Sequence, residues 1–272
     1  MEQEGVNKPL YIQAARPQPM LHRFASLLSS LVARDFKGQY RRSVLGPAWA
    51  IIQPLFYMVI FVFLRKMLRI SSEGVSDALD TYAVLVPWSF LSNAIMRSGP
   101  SIYSNGNILK KIAMPREVFP AASVALSLID LGIAAVVLIG MMVWYRAAVG
   151  LALLWLLPLV GLTVLLAMGA GFLVAALGAF KRDIVFGMPF LIQFWLLATP
   201  ILYPLDKVPP GVKGIYVLNP AVGLIEGFRS VLIHNSQPDL NLLGISLAGV
   251  CVLWLLAWPV FRYTSQYFAD VL

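Results

Sequence analysis

The chain has 272 residues, of which 59% are hydrophobic and only 12% are charged, and its formal net charge is +8. Soluble domains carry roughly 25% charged residues, so this composition excludes an ordinary soluble enzyme and predicts a membrane protein. In a membrane protein, excess positive charge is typical of cytoplasmic loops that face anionic lipid, and it does not indicate nucleic-acid binding. The single cysteine, Cys251, excludes an internal disulfide.

The amino-terminal region divides into a polar stretch and an amphipathic one. Residues 1–20 are predicted to form a tail on the cytoplasmic side. Between residues 21 and 42, apolar residues recur at helical spacing while most basic residues fall elsewhere, which predicts a helix that lies in the membrane interface. A plain membrane anchor would give the same pattern. The polar residues that mark this candidate interface helix, with one tyrosine, are Arg34, Asp35, Lys37, Tyr40 and Arg41.

The first predicted span follows directly. Gly46-Pro47 fits a chain that turns from the membrane surface into the bilayer, since Gly permits the bend and Pro suits a first helical turn. The uncharged run from Leu45 to Leu64 has about 20 residues, enough to cross a hydrocarbon core about 30 Å thick. Three cations that can snorkel are predicted to mark the far surface: Arg65, Lys66 and Arg69.

Apolar length predicts an all-α integral membrane fold with a single transmembrane domain over residues 1–272. The six predicted spans are 45–68, 81–104, 118–143, 151–180, 184–204 and 241–262, followed by a tail at 263–272. An even number of spans places both termini on one side, and the distribution of Lys and Arg places that side in the cytoplasm.

The connection between the fifth and sixth spans, residues 205–240, is too short to span twice and too apolar for a free loop. A turn-rich stretch is followed by Asn219-Pro220 and an apolar stripe, which predicts one or two short re-entrant helices on the outer side. Glu226 and Arg229 are spaced to pair on one helical face.

Charged residues also fall inside or beside the predicted spans. Asp130 lies about halfway along the third span, where a carboxylate is costly unless it is paired or wetted, and Arg97 is its candidate partner. The alternative is a proton relay through Asp130. A charged triplet is predicted to cap the fourth and fifth spans on the cytoplasmic side: Lys181, Arg182 and Asp183.

Aromatic residues on or near spans 1, 2 and 5 are candidates for a sugar-binding track, because sugar rings pack on aromatic faces. The candidates are Trp49, Tyr57, Trp88, Phe194, Trp195 and Tyr203. Interfacial aromatic belts give the same enrichment, so the belt remains open as an alternative. His22 and His234 lie on opposite predicted sides and suggest no metal site.

Residues 105–120, NGNILKKIAMPREVFP, predict a short basic helix parallel to the membrane, which serves either as a docking knob or only as a topology signal. The chain carries this stretch together with three others: RDFKGQYRRSVLGPAWAIIQP at 34–54, YP at 203–204, and NP at 219–220 with IEGFR at 225–229. In the order in which they occur along the chain, they resemble the membrane subunit of ATP-binding-cassette (ABC) exporters of the polysaccharide type, the permeases for O-antigen, capsule and teichoic acid precursors.

The resemblance implies roles for these segments. The helix at 21–42 would abut a nucleotide-binding subunit, segment 205–235 would close the exit of a channel, and two copies would face each other around a pore lined by spans 1 and 5. The residues that would couple to the ATPase subunit are Asn105, Asn107, Leu109, Lys110, Lys111, Met114, Pro115 and Arg116.

The resemblance also implies a function without catalysis by this chain. It implies that a lipid-linked polysaccharide moves from cytoplasm to periplasm across a bacterial inner membrane. The sequence has no GxxxxGK[ST] loop to cradle ATP phosphates, so ATP and Mg²⁺ are expected on two copies of a separate ATPase subunit and no cofactor on this chain. An ion-coupled secondary transporter and an integral membrane transferase remain as alternatives from other classes.

Overall fold

The computed structural model describes residues 20–41, 44–69, 76–111 and 114–268, and all regular structure within those ranges is helical. The α-helices are α1 (Met20–Tyr40), α2 (Trp49–Met67), α3 (Asp77–Ser98), α4 (Gly106–Lys111), α5 (Val118–Trp144), α6 (Leu156–Phe180), α7 (Arg182–Leu197), α8 (Pro210–Val217), α9 (Pro220–Leu232) and α10 (Leu240–Ser265). Short 3-10 segments lie at Gly46–Ala48, Gly99–Ser101, Tyr103–Asn105, Leu151–Trp155 and Leu205–Lys207. Most of the predicted amino-terminal tail, Arg42 of the predicted interface helix and residues 269–272 lie outside the described residues.

Four stretches are long and apolar enough to cross a membrane: Gly46–Met67, Val118–Trp144, Leu151–Phe180 and Leu240–Ser265. They match the first, third, fourth and sixth predicted spans. The connection between the fifth and sixth predicted spans contains two helices, α8 and α9, which meet the same criterion only as a pair and are bent by 99°. Helices α3 and α7 do not reach the criterion. The first is interrupted by polar residues, and the second has only 16 residues and ends seven residues before the predicted boundary.

Helix α3 lies in the middle of the bundle, where it packs against α2, α5 and α6. Its side chains are buried around most of the helix, including Leu79, Tyr82, Leu85, Leu91 and Ile95. A helix that faces protein on every side does not need an all-apolar surface, which explains why α3 tolerates charged and polar residues.

One end of the bundle, here called the α1 end, is held by an apolar cluster of five elements. Leu31 of α1 and Phe119 of α5 pack with Phe172 of α6, Phe261 of α10 and Phe268 just beyond α10. The first and last described helices therefore meet at the same end of the bundle. The described part of the predicted 263–272 tail is attached to the bundle, since α10 continues to Ser265 and Phe268 stays buried.

The opposite end, here called the α9 end, contains the last turn of α2, the first turn of α3 and the bent pair α8–α9. Helix α9 approaches its neighbours closely at two glycines. A methyl group added at Gly223 would collide with the backbone of Leu242 and with Ser246 on α10, and one added at Gly227 would come within 2.7 Å of Leu159 on α6. The absence of side chains at these two positions allows α9 to pack closely against both α10 and α6.

The entry into α2 follows the sequence prediction. Gly46 adopts a positive φ of +48°, a conformation that glycine tolerates without strain. Pro47 then lies in the 3-10 turn that leads into α2. The local conformations at Gly46 and Pro47 are thus those that the sequence predicts at the start of the first span.

Candidate functional site

The predicted coupling segment lies at the α1 end, between α3 and α5. The amide of Asn105 donates to the carbonyl of Ser101 at 2.8 Å and holds the turn that precedes α4. The half-buried members of the segment are Asn105, Leu109, Met114, Pro115 and Arg116, and the exposed members are Asn107, Lys110 and Lys111. Leu109 of α4 packs on the apolar cluster of the α1 end, as does Met114 beyond the helix, so α4 is anchored while its two lysines stay exposed.

Helix α1 lies beside this segment, across a cavity of about 550 Å³. Arg34 and Asp35 line the cavity from α1, and Ser104 and Asn105 line it from the coupling segment. The two α1 residues form an ion pair of 2.7 Å. The structure thus brings together two groups that are about 70 residues apart in the sequence. The remaining predicted interface residues on or beside α1 are Lys37 and Arg41, both exposed, and Tyr40, the last residue of the helix.

The charge pair predicted inside the membrane is present. Arg97 Nη2 lies 2.6 Å from Asp130 Oδ2, and Arg97 Nη1 donates to Ser127 Oγ at 3.2 Å. Asp130 is buried on α5 and Arg97 is one-quarter exposed near the end of α3. A carboxylate satisfied by a guanidinium in this way fits a structural pair better than a proton relay.

The predicted charged cap is the junction of α6 and α7. Lys181 is the only residue between the two helices, and Arg182 and Asp183 begin α7. All three are exposed at the α1 end. The guanidinium carbon of Arg182 lies 5.5 Å from the ring centroid of Tyr103, within range of a cation–π contact.

A polar cleft of about 180 Å³ lies between α2, α3 and α7. Its polar lining residues are Gln53, Ser89, Ser92, Asn93 and Gln193. Tyr57 and Trp88, two of the predicted track aromatics, also line it. Polar side chains that share a cleft at the level of the spans are typical of a path that admits water or a polar substrate.

The six predicted track aromatics do not form one continuous row. Trp49 and Tyr57 line a shallow groove of about 440 Å³ along α2, and Phe194 is exposed on α7. Trp195 packs edge-on against Trp88, with ring centroids 5.6 Å apart. Tyr203 lies near the α9 end, where its hydroxyl is 3.3 Å from that of Tyr216.

A buried ionic cluster joins four elements at the α9 end. Arg65 of α2 contacts Asp80 of α3 at 2.6 Å, and Asp80 also accepts from Nε of Arg229 on α9 at 2.9 Å. Arg229 pairs in turn with Glu226, as the spacing predicts, and Glu226 accepts from the backbone N–H of Leu205 at 3.0 Å. The cluster borders a cavity of about 290 Å³.

The position of Arg65 corrects a sequence prediction. Arg65 was expected to snorkel at the membrane surface, but it is fully buried. The reason is the partner carboxylate of Asp80, which lies 15 residues further along the chain and removes the need for solvent. Sequence analysis missed this cluster, although an acidic residue at the start of α3 and a basic one on α9 were both visible. Within the described ranges, no group of three or more His, Cys, Asp or Glu residues is placed to hold a metal ion.

These features, an all-helical bundle with several helices long and apolar enough to cross a membrane, define a multi-pass α-helical membrane protein. Residues 26–233 match the ABC-2 type transporter family, and the chain belongs to that family.

Curated relatives cover almost the whole chain. The chain is 26% identical over 256 residues to the O-antigen export system permease protein RfbA of Myxococcus xanthus. The aligned region covers 92% of this chain and 96% of that protein. The chain is 27% identical over 248 residues to the O-antigen export system permease protein RfbA of Klebsiella pneumoniae, and the aligned region covers 90% of this chain and 95% of that protein. A second Klebsiella pneumoniae RfbA is 26% identical over the same length.

Proposed function

We propose that this protein is the membrane subunit of an ATP-driven exporter that moves a lipid-linked, O-antigen-like polysaccharide from the cytoplasm to the periplasm. Two copies form the pore, and two separate ATPase subunits bind and hydrolyse ATP. The observation that carries the proposal is the anchored helix α4, which presents Lys110 and Lys111 beside α1 in a chain of the ABC-2 family.

Six membrane crossings require that α3 and α7 also cross, although neither is long and apolar enough by itself. The contacts at the two ends of each helix support this. Helix α3 begins in the ionic cluster of the α9 end, at Asp80, and ends beside the coupling segment. Helix α7 begins at the α1 end and reaches Asn219 at the α9 end, where the indole of Trp195 donates to it at 2.8 Å. Each therefore runs from one end of the bundle to the other. With six crossings, both termini lie in the cytoplasm of a bacterium and the α9 end faces the periplasm.

The polar cleft between α2, α3 and α7 supports the position of the pore. Its lining combines amides and hydroxyls with Tyr57 and Trp88, a mixture suited to a hydrated glycan. The exposed aromatic faces of α2 and α7 lie on either side of this cleft, and a second copy packed there would enclose it. The bent pair α8–α9 would close the exit.

Co-purification tests the proposal. The full-length chain, tagged and isolated in mild detergent from its own host, is expected to bring down a P-loop ATPase in about equal amount. The double substitution Lys110→Glu and Lys111→Glu is expected to lower the amount of ATPase recovered by about tenfold or more. A docking surface that is complementary to two lysines repels two glutamates.

The matched control reverses two exposed lysines at the α9 end, Lys207→Glu and Lys213→Glu, and is expected to leave recovery unchanged. Equal recovery with both double variants would show that the α4 lysines serve only topology. If the wild-type chain recovers no ATPase of this class, the exporter proposal is wrong.

A further inference from the structure

The first turn of α7 contacts the residues that lead from α3 into the coupling segment, at Tyr103 and at Gly99. Arg182 lies over the ring of Tyr103, which opens the 3-10 turn directly before α4. Val185, one turn further along α7, packs into a gap between Gly99 and Gly178. A methyl group added at Gly178 would come within 2.6 Å of Val185 Cγ2, so the contact leaves no free space.

The last turn of α7 touches the bent pair at the opposite end. Trp195 Nε1 donates to Asn219 Oδ1 at 2.8 Å. Asn219 also donates to the carbonyl of Ala198 at 2.9 Å and accepts from the N–H of Ala221 as the cap of α9. Asn219 therefore joins the end of α7 to the start of α9. A second bond links the same parts, since Arg229 donates to the carbonyl of Pro200 at 2.9 Å.

Between its two ends, α7 is attached along a single stripe. It stays one helix through Pro189, and its buried side chains are Met188, Ile192 and Leu196, spaced four residues apart. The opposite face is exposed. Helix α3, by contrast, is buried around most of its circumference. Of these two helices, α7 is therefore the one whose tilt can change with the loss of fewer contacts.

We propose that α7 is the mechanical link between the coupling segment and the outer helix pair, with Tyr103 and Arg182 as positioning residues at one end and Trp195 and Asn219 at the other. The inference rests on the proposed function, because it assigns the route by which motion of α4 reaches the exit. A displacement of α4 shifts Tyr103 and Gly99, these shift the first turn of α7, and Asn219 passes the shift to α9.

Hydrogen exchange on the full-length chain in lipid nanodiscs tests the link. Tyr103→Leu removes the π face that Arg182 covers, and Tyr103→Phe keeps it. With Tyr103→Leu, the amides of residues 198–205, just beyond the far end of α7, are expected to exchange about two- to fivefold faster. This fold-change corresponds to the free energy of an exposed cation–π contact. Residues 234–242 also lie at the α9 end but do not contact α7 through these bonds, and they are expected to be unchanged. Tyr103→Phe is expected to match the wild type in both regions.

Reciprocity provides a second variant, since a coupling free energy acts equally in both directions. Trp195→Phe keeps an aromatic ring against Trp88 but loses the donor to Asn219, and it is expected to speed exchange at residues 103–111. If Tyr103→Leu and Arg182→Gln change exchange only near the α1 end, and Trp195→Phe only near the α9 end, the link does not exist.

The exchange measurement needs no partner protein, so its result is separate from that of co-purification. A chain that recovers its ATPase but shows no coupling across α7 keeps the proposed function and loses the link. A chain that shows the coupling but recovers no ATPase keeps the link as a property of the permease and loses the exporter proposal.

Discussion

Asp80 holds two arginines that come from distant parts of the chain. Its carboxylate contacts Arg65 on α2 and Arg229 on α9, and all three residues are at most 3% exposed. A buried charge is tolerated only when its partners are present, and removal of one partner leaves the others uncompensated. Asp80 is thus the residue on which α2, α3 and α9 depend together.

Substitution Asp80→Asn is expected to lower the free energy of unfolding by about 3–5 kcal/mol, because two buried guanidiniums lose their shared carboxylate and keep only one carboxylate each, Asp77 at 3.7 Å from Arg65 and Glu226 beside Arg229. Thermal unfolding of the purified chain in detergent measures the effect. Asp206→Asn, at an exposed position of the same end, is expected to stay within about 0.5 kcal/mol of the wild type. Equal stability of the two variants would mean that Asp77 and Glu226 compensate the arginines without Asp80.

Helix α9 owes its position to close backbone contact as well as to charge. Gly223 faces α10 and Gly227 faces α6, four residues apart on the same short helix. The buried apolar residues of α9, among them Val222, Leu224 and Phe228, then fill the space on either side. Side-chain size at Gly223 therefore determines how near α9 can lie to α10.

Substitution Gly223→Ala is expected to destabilise the chain by about 1–3 kcal/mol, since the added methyl group overpacks a contact with the α10 backbone. Gly244→Ala is the matched control: it lies on α10, with open space at its Cβ, and is expected to be neutral or slightly stabilising. Unfolding temperatures of the two variants in the same detergent give the comparison. A stable Gly223→Ala would show that α9 can move away from α10 without cost.

At the scale of elements, the sequence predicts what depends on local pattern. The amphipathic period gives α1, and apolar length gives α2, α5, α6 and α10 to within a few residues. The bent pair and its Glu226–Arg229 contact follow from turn residues and spacing.

What the sequence does not predict depends on tertiary contact. The second partner of Arg229 is Asp80, which lies 149 residues earlier, and no local pattern indicates that pairing. The end of α7 at Leu197 has a local cause and a tertiary one, since Pro200 cannot continue the helix and Asn219 donates to the carbonyl of Ala198.

At the scale of the whole molecule, the two ends of the bundle differ in what holds them. The α1 end is joined by aromatic packing and carries exposed cations on α4 and at the α6–α7 junction. The α9 end is joined by buried ion pairs and close helix contacts. This asymmetry suits a conduit that is driven at one end by a soluble partner and closed at the other by the bent pair.

The most direct test is transport in proteoliposomes that contain the chain, its P-loop ATPase and a lipid-linked polysaccharide. We expect ATP-dependent movement of the glycan across the bilayer. Liposomes that contain the chain alone, or the chain with an ATPase whose P-loop lysine is replaced, are expected to show neither glycan movement nor ATP hydrolysis. Vectorial glycan movement or nucleotide hydrolysis by the chain alone would contradict the account.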